Sequence, residues 1–512
     1  MLATIKSAAT YGVDAYLVHI ETNVENNIPN FFIVGLPDNS VKESRERVPT
    51  AIKNSGYIFP NKKITVNLAP ADIKKEGSAY DLPIAIGLLK ASGQIKTNKL
   101  EKFIIVGELA LDGSLRTVHG VLPIAMEIKN LGLQGIILPK ENAKEAAMVE
   151  GIEVYGVESI KEAISVLEET NEIKSTKVNP NELFLQTQEN KIDFAEVKGQ
   201  ENVKRALEVS AAGGHNIIMI GPPGSGKTML ARRIPTILPP MTFDESLETT
   251  KIHSIAGMLP ANQALVAVRP FRSPHHTISD SALVGGGSIP RPGEISLSHH
   301  GVLFLDELPE FDRSVLEVMR QPLEDGKVLI SRSKLSLEFP CNFMLVCAMN
   351  PCPCGNFGNK NKDCNCSPMQ INKYMGKISG PLLDRIDIHI EVPAVDVSEL
   401  SQKKVGESSF NIRSRVIKAR EIQLSRFKKL KGKFCNSDMA SSELKEFCKI
   451  DESGEELLKM AISKLGLSAR AYDRIIKVAR TIADLSNSEN IKNEHLSEAI
   501  QYRSLDRNLW FS

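Results

Sequence analysis

The strongest chemical signal in the sequence is a glycine-rich segment that ends in a lysine and a threonine. It consists of Gly221, Pro222, Pro223, Gly224, Ser225, Gly226, Lys227 and Thr228. An apolar run at 216–220 precedes it and a helical pattern follows, which is the context that a phosphate-binding loop requires. In such a loop the backbone N–H groups and the helix N-terminus face the phosphates. We therefore predict that the segment binds ATP, with Lys227 on the β/γ-phosphates and Thr228 as a ligand of Mg²⁺.

A pair of carboxylates follows a second apolar run, at 302–305. Asp306 is expected to hold the magnesium ion through water, and Glu307 to polarise the water that attacks the phosphate. A third predicted strand, 343–348, ends just before Asn350. Functional residues at the ends of successive strands are typical of an open α/β sheet. The sequence thus predicts a nucleotide hydrolase rather than a simple nucleotide binder.

Four of the eight cysteines crowd into one short stretch, as Cys352, Cys354, Cys364 and Cys366. Four thiolates from two turns satisfy tetrahedral Zn²⁺, although the C-x-C spacing is tighter than that of most zinc ligands. We predict a structural zinc site; free reduced thiols and redox-active disulfides are the alternatives. The other cysteines lie in apolar or helical contexts and are expected to pack in the core; they are Cys341, Cys347, Cys435 and Cys448.

Two pairs of adjacent histidines also raise the question of a metal. They are His275–His276 and His299–His300. Neighbouring side chains on a regular helix or strand point apart, so each pair is a poor chelate. We expect structural roles, or roles close to the phosphates, for these residues.

The 512 residues that must position these groups are too many for a single core, and two to four domains are expected. Residues 1–168 alternate strand and amphipathic patterns, and 169–192 form a polar linker. Residues 193–396 contain the strands that end in the motifs above, and 397–512 have helical periodicity. We therefore predict an α/β fold with a helical C-terminal domain.

Charge and hydropathy narrow the range of partners. Lys and Arg (63) nearly balance Asp and Glu (62), so a DNA-binding surface must be a local patch. The apolar runs are too short to span a bilayer, and the N-terminal segment lacks the features of a signal peptide. These observations predict a cytoplasmic protein without a membrane partner.

Four further segments carry a resemblance to a known family. They lie at 271–307, 348–355, 380–393 and 467–485, and they include FRSPHHTISD, AMNPCPCG, GPLLDRIDIHIEVP and LSARAYDRIIKVARTIADL. Over essentially its whole length the chain resembles the magnesium-chelatase-like AAA+ family that includes the YifB/ComM competence proteins. The resemblance implies an AAA+ P-loop core at 193–396, followed by a helical lid at 397–512.

The same resemblance implies roles for three more residues. Asn350 would be the polar sensor that orients the attacking water, Arg385 the arginine finger that reaches a neighbouring subunit, and Arg470 the lid arginine at the γ-phosphate. An arginine at the transferred phosphoryl group contributes roughly 10³–10⁵ in rate. Because Arg385 would act in trans, we expect a ring of identical subunits, a hexamer. An ion pair of Arg385 with Asp384 or Asp387 is the alternative.

Two basic segments are candidates for contact with DNA. Residues 327–339 alternate apolar and polar side chains, which predicts a β-hairpin. In this family branch the hairpin faces the pore of the ring, so Arg332 and Lys334 at its tip would track a phosphate backbone. An exposed hairpin with ordinary charges is the alternative. The cation-rich stretch 413–433 is explained either by nucleic acid or by a solvated helical face.

The N-terminal domain is similar, over residues 62–167, to the proteolytic domain of Lon-type proteases, which has the ribosomal S5 domain 2-like fold. Those enzymes use a Ser–Lys dyad. Aligned from Gly77, the nucleophile position carries Ala79, with Ser78 one residue earlier, and the lysine position carries Leu122. A hydroxyl without its activating base is nearly inert. We therefore predict a non-proteolytic scaffold.

The leading hypothesis is an ATP-hydrolysing motor that pulls on single-stranded or branched DNA. By the resemblance, it would be a branch-migration helicase of the ComM type that acts in natural transformation and recombination. The alternatives are a metal-insertion ATPase like that of magnesium chelatase, and an ATP-dependent protein unfoldase or protease.

Overall fold

The computed structural model describes most of the chain. The described residues are 1–170, 173–179, 192–260, 263–287, 290–332, 335–358, 362–394, 406–430, 432–465 and 468–503. Much of the predicted linker 169–192 lies outside them, as does Lys334 at the predicted hairpin tip. Among the described residues, no helix is long and apolar enough to cross a membrane.

Strands and helices alternate through the first two thirds of the chain, and helices dominate the rest. The strands are β1 (Leu2–Tyr11), β2 (Asp14–Glu25), β3 (Asn30–Val34), β4 (Lys63–Ala69), β5 (Phe103–Ile105), β6 (Glu108–Leu109), β7 (Leu115–Arg116), β8 (Gly135–Pro139), β9 (Glu153–Val157), β10 (Ile217–Ile220), β11 (Phe271–Arg272), β12 (Gly285–Gly286), β13 (Arg291–Pro292), β14 (Val302–Leu305), β15 (Lys327–Arg332), β16 (Leu335–Pro340), β17 (Met344–Met349) and β18 (Ile388–Glu391). The helices are α1 (Asn39–Lys42), α2 (Ser44–Asn54), α3 (Asp81–Ala91), α4 (Val121–Asn130), α5 (Ala143–Ala146), α6 (Ile160–Glu168), α7 (Glu201–Gly213), α8 (Lys227–Ile237), α9 (Phe243–Ile255), α10 (Asp280–Val284), α11 (Glu294–Leu297), α12 (Arg313–Val318), α13 (Arg320–Asp325), α14 (Pro368–Met375), α15 (Gly380–Leu383), α16 (Ser409–Phe427), α17 (Ser441–Phe447), α18 (Glu452–Leu465), α19 (Ala469–Leu485) and α20 (Asn493–Gln501).

The chain divides into two compact units. Unit 1 comprises Met1–Thr187, Phe243–Ala267 and Ser333–Phe339, and unit 2 comprises the remainder. Two short segments of the range 193–396 thus belong to unit 1. We keep 193–396 as the proposed extent of the ATPase core, because all five strands of the principal parallel sheet lie within it.

Unit 1 is built on a four-stranded sheet in the order β1-β2-β4-β3. Strands β1, β2 and β4 pair antiparallel, whereas β3 runs parallel to β4 at the edge. The parallel strands β5, β8 and β9 form a second, smaller sheet. Helix α3 is buried along its whole length except at Lys90, since its sequence is apolar on every face.

Unit 2 is built on a five-stranded parallel sheet in the order β11-β14-β17-β10-β18. The strands predicted at 216–220, 302–305 and 343–348 are confirmed as β10, β14 and β17, each within one residue at either end. All their residues are buried, as expected for a parallel sheet covered on both faces. Their carboxyl ends share one edge, and this edge positions the candidate site.

Helices α16 to α20 complete unit 2, and their cores pack with the sheet in one hydrophobic cluster. Helix α19 follows Ser468, whose side chain caps it by accepting a hydrogen bond from the backbone of Ala471. The helical periodicity predicted after residue 397 is thereby confirmed. The α/β class with a C-terminal helical part is confirmed as well.

Candidate nucleotide site

The glycine-rich segment forms a turn between the end of β10 and the start of α8. The backbone N–H of Gly221 donates to the carbonyl of Met349 at 3.2 Å, which anchors the turn to β17. A Cβ atom at Gly221 would lie 2.1 Å from the carbonyl oxygen of Val392, so only glycine fits there. Gly226, with φ of 88°, precedes the first turn of α8. The turn therefore leads into the N-terminus of α8, which lies at the carboxyl edge of the sheet.

The ammonium of Lys227 lies inside this turn. Its Nζ donates to the carbonyl oxygens of Gly221 (2.7 Å) and Pro222 (3.0 Å), and to Oδ1 of Asn350 (3.2 Å). Burial lowers the pKa of Lys227, and the carboxylates of the acidic pair that follows β14 oppose that shift. The predicted phosphate lysine and the predicted sensor thus meet, although β10 and β17 bring them from distant parts of the sequence.

The acidic pair after β14 faces the first residues of α8. Thr228 Oγ1 donates to Oδ2 of Asp306 at 2.6 Å. A hydroxyl that ligates Mg²⁺ and a carboxylate that holds the same ion through water must lie side by side, and this contact is compatible with that arrangement. Glu307 follows with φ of 54°, and its backbone N–H donates to Oδ1 of Asp306 at 3.0 Å. The donor set fits a magnesium-bound triphosphate.

Two further residues, Gln200 and Tyr374, also contact this region. Gln200, in a left-handed conformation before α7, donates through Nε2 to the carbonyl oxygens of Ser225 (2.9 Å) and Pro393 (3.1 Å). Tyr374 of α14 is buried, which raises its pKa; the charge of Glu310 adds to this, and a hydrogen bond from the Asn350 backbone opposes it. By the family resemblance, the segment Lys198–Asn202, which contains Gln200, would border the adenine, whereas no local signal in the sequence pointed to Tyr374.

Arg385 is buried rather than extended into solvent. Its guanidinium forms an ion pair with Glu324, and Nη1 donates to the carbonyl of Pro381 at 2.5 Å. The ion pair considered with Asp384 or Asp387 is therefore wrong in its partner. The physical reason is that Asp387 is already engaged by His215 and Arg474. Among the described residues, Nε of Arg385 has no hydrogen-bond partner.

Arg385 and Glu324 line a groove of about 620 Å³ in unit 2. Four more charged side chains line it, those of Asp280, Glu317, Arg320 and Lys327. The predicted lid arginine, Arg470, lies in the first turn of α19 and is exposed. Among the described residues, the structure thus brings the P-loop, acidic and sensor residues together, whereas the side chain of Arg385 contacts Glu324 and Pro381 instead.

The four clustered cysteines converge in space. The Sγ atom of Cys352 lies 3.4 Å from that of Cys354 and 3.7 Å from that of Cys364, and the latter two are 3.6 Å apart. With Cys366 included, all four Sγ atoms lie within 4.8 Å of one another. A zinc ion with Zn–S bonds of about 2.3 Å holds its sulfurs about 3.8 Å apart. The tight C-x-C spacing is therefore compatible with a tetrahedral Cys₄ site.

The thiols of this cluster differ in acidity. Backbone N–H groups of Asn356 and Asn365 lower the pKa of Cys354 to about 6. A backbone N–H also favours the thiolate of Cys364, but burial and the neighbouring thiols raise its pKa to about 12. This pattern is typical of crowded groups that share a charge. The four cysteines predicted to pack are buried, as expected.

Within each pair of adjacent histidines, the two rings lie closer together than we predicted. The ring centroids of His275 and His276 lie 4.1 Å apart, and those of His299 and His300 lie 3.9 Å apart. The expectation that neighbours point apart is wrong here, because neither pair lies in a regular helix or strand and His300 has φ of 54°. His276 Nδ1 lies 3.6 Å from Oε2 of Glu307, which places it beside the acidic pair.

The basic segments have different environments. Strands β15 and β16 form a two-stranded sheet, which is the hairpin predicted at 327–339; Lys334 and the side chain of Arg332 lie outside the described residues. Two arginines of α16 form ion pairs within unit 2. Arg426 pairs with Asp484 at 2.5 Å, and Arg415 contacts Glu407 through two bonds. These arginines therefore hold the helix in place, which neither explanation for 413–433 anticipated.

In unit 1, the positions aligned with the Lon-type dyad meet within one hydrophobic cluster. Leu122 is fully buried, and Ala79 packs against the same cluster. Ser78 donates instead to the carboxylate of Glu108. Both dyad positions thus carry apolar side chains that are associated with one hydrophobic cluster. This geometry supports the proposal of a non-proteolytic scaffold.

Three family models of the magnesium chelatase subunit ChlI match successive parts of the chain. "Subunit ChlI of Mg-chelatase" matches residues 20–142, "Magnesium chelatase, subunit ChlI" matches 193–400, and "Magnesium chelatase, subunit ChlI C-terminal" matches 406–503. The matches therefore include much of the N-terminal part, the P-loop core and the C-terminal helices.

Full-length relatives narrow the assignment. The chain is 45% identical to the competence protein ComM of Haemophilus influenzae, over 99% of this chain and 98% of that protein. It is also 45% identical to the uncharacterized protein YifB of Escherichia coli, over the same shares. The magnesium-chelatase 38 kDa subunit of Rhodobacter capsulatus is 25% identical over 31% of this chain and 50% of its own. Lon protease 2 of Bacillus subtilis is 28% identical over 41% of this chain and 35% of that protein. The chain belongs to the YifB/ComM family of magnesium-chelatase-like AAA+ ATPases.

Proposed function

We propose that this AAA+ ATPase is a DNA motor, a branch-migration helicase of the ComM type that serves natural transformation and recombination. The observation that carries the proposal is the full-length likeness to a relative named as a competence protein. A convergent set of phosphate, magnesium and sensor groups at one edge of a parallel sheet supports the motor part. The proposal includes a hexameric ring in the cytoplasm.

The residues of the site divide the work of hydrolysis. Lys227 neutralises the β/γ-phosphates, while Thr228 and Asp306 hold the magnesium ion. Bound magnesium supplies charge neutralisation at the phosphate oxygens. Glu307 accepts the proton of the attacking water, and Asn350 orients that water.

We assign Arg385 to the nucleotide site of a neighbouring subunit, which is complete only after assembly. We assign Arg470 to the nucleotide site that the helical lid completes. Arg385 reaches the γ-phosphate of a neighbouring subunit by exchanging its ion pair with Glu324 for the phosphate. Two contacts link it to the lid helix α19: Arg474 donates to the backbone carbonyl of Arg385 at 3.4 Å, and it also pairs with Asp387. Movement of α19 would therefore shift the segment that carries the finger.

We assign DNA binding to the hairpin of β15 and β16. In this proposal Arg332 and Lys334 contact the phosphates of the DNA backbone. Cations that neutralise phosphates make affinity fall with salt, by a slope of about 0.7 per contact on single strands. The double variant Arg332→Ala/Lys334→Ala is expected to weaken DNA binding and flatten that slope. Basal ATP hydrolysis should stay unchanged. An unaltered slope would remove the hairpin from the interface.

The decisive test measures ATP hydrolysis and fork unwinding for wild type and Lys227→Ala, with and without DNA. Wild type should hydrolyse ATP, accelerate with forked or single-stranded DNA, and unwind the fork. Lys227→Ala should do none of these, because the phosphates lose their cation. Lys459→Ala, which breaks an exposed ion pair on α18, serves as the control. Intact hydrolysis in Lys227→Ala would overturn the site.

The alternatives predict different stimulants for the same ATPase. A metal-insertion ATPase would respond to a magnesium–porphyrin system, and a protein unfoldase to casein. The full-length match to ComM, against a match over 31% of this chain to the chelatase 38 kDa subunit, favours DNA. Stimulation by porphyrin or casein, without any by DNA, would replace the leading function and leave the motor in place.

We also propose that the cysteine cluster binds one structural zinc ion. The convergence of four Sγ atoms supports this more directly than the spacing did. Elemental analysis should find about one zinc per chain in wild type. Zinc should be lost in Cys364→Ser and retained in Cys341→Ala, whose thiol is buried elsewhere in unit 2. A molar ratio of zinc to protein chain near zero in wild type would contradict the proposal.

A further inference from the structure

The cysteine loop, residues 352–366, lies next to the phosphate-binding turn. It begins two residues after Asn350, whose Oδ1 is 3.2 Å from Nζ of Lys227. Cys352, its first thiol, is fully buried. The loop therefore starts from the same strand end that contacts the phosphate lysine.

The loop backbone also packs directly on the turn. Gly355 has φ of 79°, and a Cβ atom built there would lie 2.4 Å from Cδ and 2.6 Å from Cγ of Pro223. Pro223 is the third residue of the phosphate-binding turn. A glycine backbone thus lies against the proline ring at a distance that no side chain permits.

The far end of the loop returns to the same region. Ser367 caps α14 immediately after Cys366, and α14 carries Tyr374 to the backbone N–H of Asn350. Both ends of the cysteine loop are consequently tied to the sensor, and Gly355, near its start, packs on the turn. A cross-link among the thiols would fix all three contacts at once.

We propose that the zinc-linked cysteine loop is the support that holds the phosphate-binding turn in its nucleotide-binding shape, so that zinc loading sets the affinity for ATP. The proposal rests on the ATP and zinc sites assigned above. Gly355 and the cysteines are positioning residues in this scheme, since they act through Pro223 and Asn350. A turn that loses its support pays an ordering cost on binding, which weakens the affinity.

A matched pair of glycines in the same loop tests the packing. Gly358 has φ of 76°, close to that of Gly355, but among the described residues a Cβ atom there meets nothing within 4 Å. Alanine therefore imposes similar backbone strain at both positions, and only Gly355→Ala also collides with the turn. Gly355→Ala should weaken binding of a non-hydrolysable ATP analogue with Mg²⁺ about tenfold or more. Gly358→Ala should bind within about twofold of wild type. Equal affinities would overturn the proposal.

A rescue variant separates this effect from general misfolding. Pro223→Ala removes the ring atoms that the added methyl group would meet. The double variant Pro223→Ala/Gly355→Ala should therefore bind the analogue more tightly than Gly355→Ala alone, a coupling that a misfolded protein would not show. Double and single variants of equal affinity would contradict the packing.

Zinc itself is tested by removal and return. Wild type stripped by a chelator should bind the analogue about tenfold more weakly and recover when Zn²⁺ is added. Cys364→Ser should bind weakly whether or not Zn²⁺ is added. Unchanged affinity in stripped protein, or purified wild type without zinc, would overturn the proposal. Failure of zinc-loaded wild type to bind any nucleotide would instead overturn the ATP site.

Discussion

Glu307 has an unusual backbone conformation and an exposed side chain. Its φ of 54° lies in the left-handed region, which residues other than glycine rarely occupy. Such conformations cost of order 1–3 kcal/mol and cluster at functional sites. The carboxylate lies 3.6 Å from Nδ1 of His276, with 57% of the side chain exposed. A group in this position can exchange its proton with solvent after each turnover.

Substitution of Glu307 should therefore separate binding from hydrolysis. Glu307→Gln keeps the size of the side chain but cannot take the proton of the attacking water. We expect kcat to fall about 10²–10⁴-fold, with binding of the ATP analogue nearly unchanged. Glu310→Gln, three residues on, serves as the control and should retain hydrolysis. A kcat for Glu307→Gln within tenfold of wild type would exclude this carboxylate as the base.

At the scale of elements, Asp387 joins the sheet to the lid helix. It lies just before β18 and is buried, with its carboxylate paired to Arg474 of α19 and 3.4 Å from Nδ1 of His215. It also accepts from the backbone N–H of Asn216, at the start of β10, at 3.1 Å. Burial by itself would raise the pKa of Asp387, but the charges of Arg474 and His215 hold it well below its usual range.

Asp387→Asn should destabilise unit 2 by about 3 kcal/mol at neutral pH, because it leaves Arg474 and His215 facing a neutral group. The stabilisation is fully present above the unfolded pKa of about 3.9 and is lost progressively as the pH falls from there toward the lowered pKa of the folded state. The difference between wild type and variant should therefore shrink below about pH 4. Denaturant titrations at pH 7 and pH 3 measure both values.

Glu455→Gln, which breaks an exposed i,i+4 pair with Lys459 on α18, is the control for this substitution. It should change the free energy of unfolding by less than about 0.5 kcal/mol at either pH. An Asp387→Asn variant as stable as this control would mean that the buried pair does not secure the lid.

At the scale of the whole molecule, the position of Arg385 bears on assembly. Its guanidinium is buried beside Glu324, so within one chain it is neutralised and held in the groove. The trans role that the family resemblance implies requires that this ion pair be exchanged on assembly. A ring of heterologous contacts provides a neighbour for every site.

Mixing two inactive variants should restore activity if the finger acts in trans. Arg385→Ala subunits keep an intact P-loop, and Lys227→Ala subunits keep an intact finger. A 1:1 mixture completes about a quarter of the sites in a randomly assembled ring, so it should recover up to that fraction of wild-type ATPase. Each variant alone should be inactive. A mixture as inactive as its components would assign Arg385 a role within its own chain.

Local patterns in the sequence determined much of the site. The P-loop, the acidic pair and the sensor each follow a short apolar strand, and the edge where parallel strands end brings them together. The four cysteines were recognisable as a cluster because they are close along the chain. The similarity to Lon-type domains located Ala79 and Leu122, which pack in one apolar cluster. In each case the chemistry depends on neighbours in sequence, or on a strand order that the family resemblance supplies.

Only the tertiary structure decided the contacts between distant segments. Glu324 as the partner of Arg385, and Gly355 against Pro223, have no signature in local spacing. The arginines of α16 illustrate the same point, since a run of cations looks alike whether it meets DNA, water or buried carboxylates. Charge and periodicity are properties of a segment, whereas a partner is chosen by the packing of segments far apart in the chain. Packing therefore determined which of these charges are held within the fold.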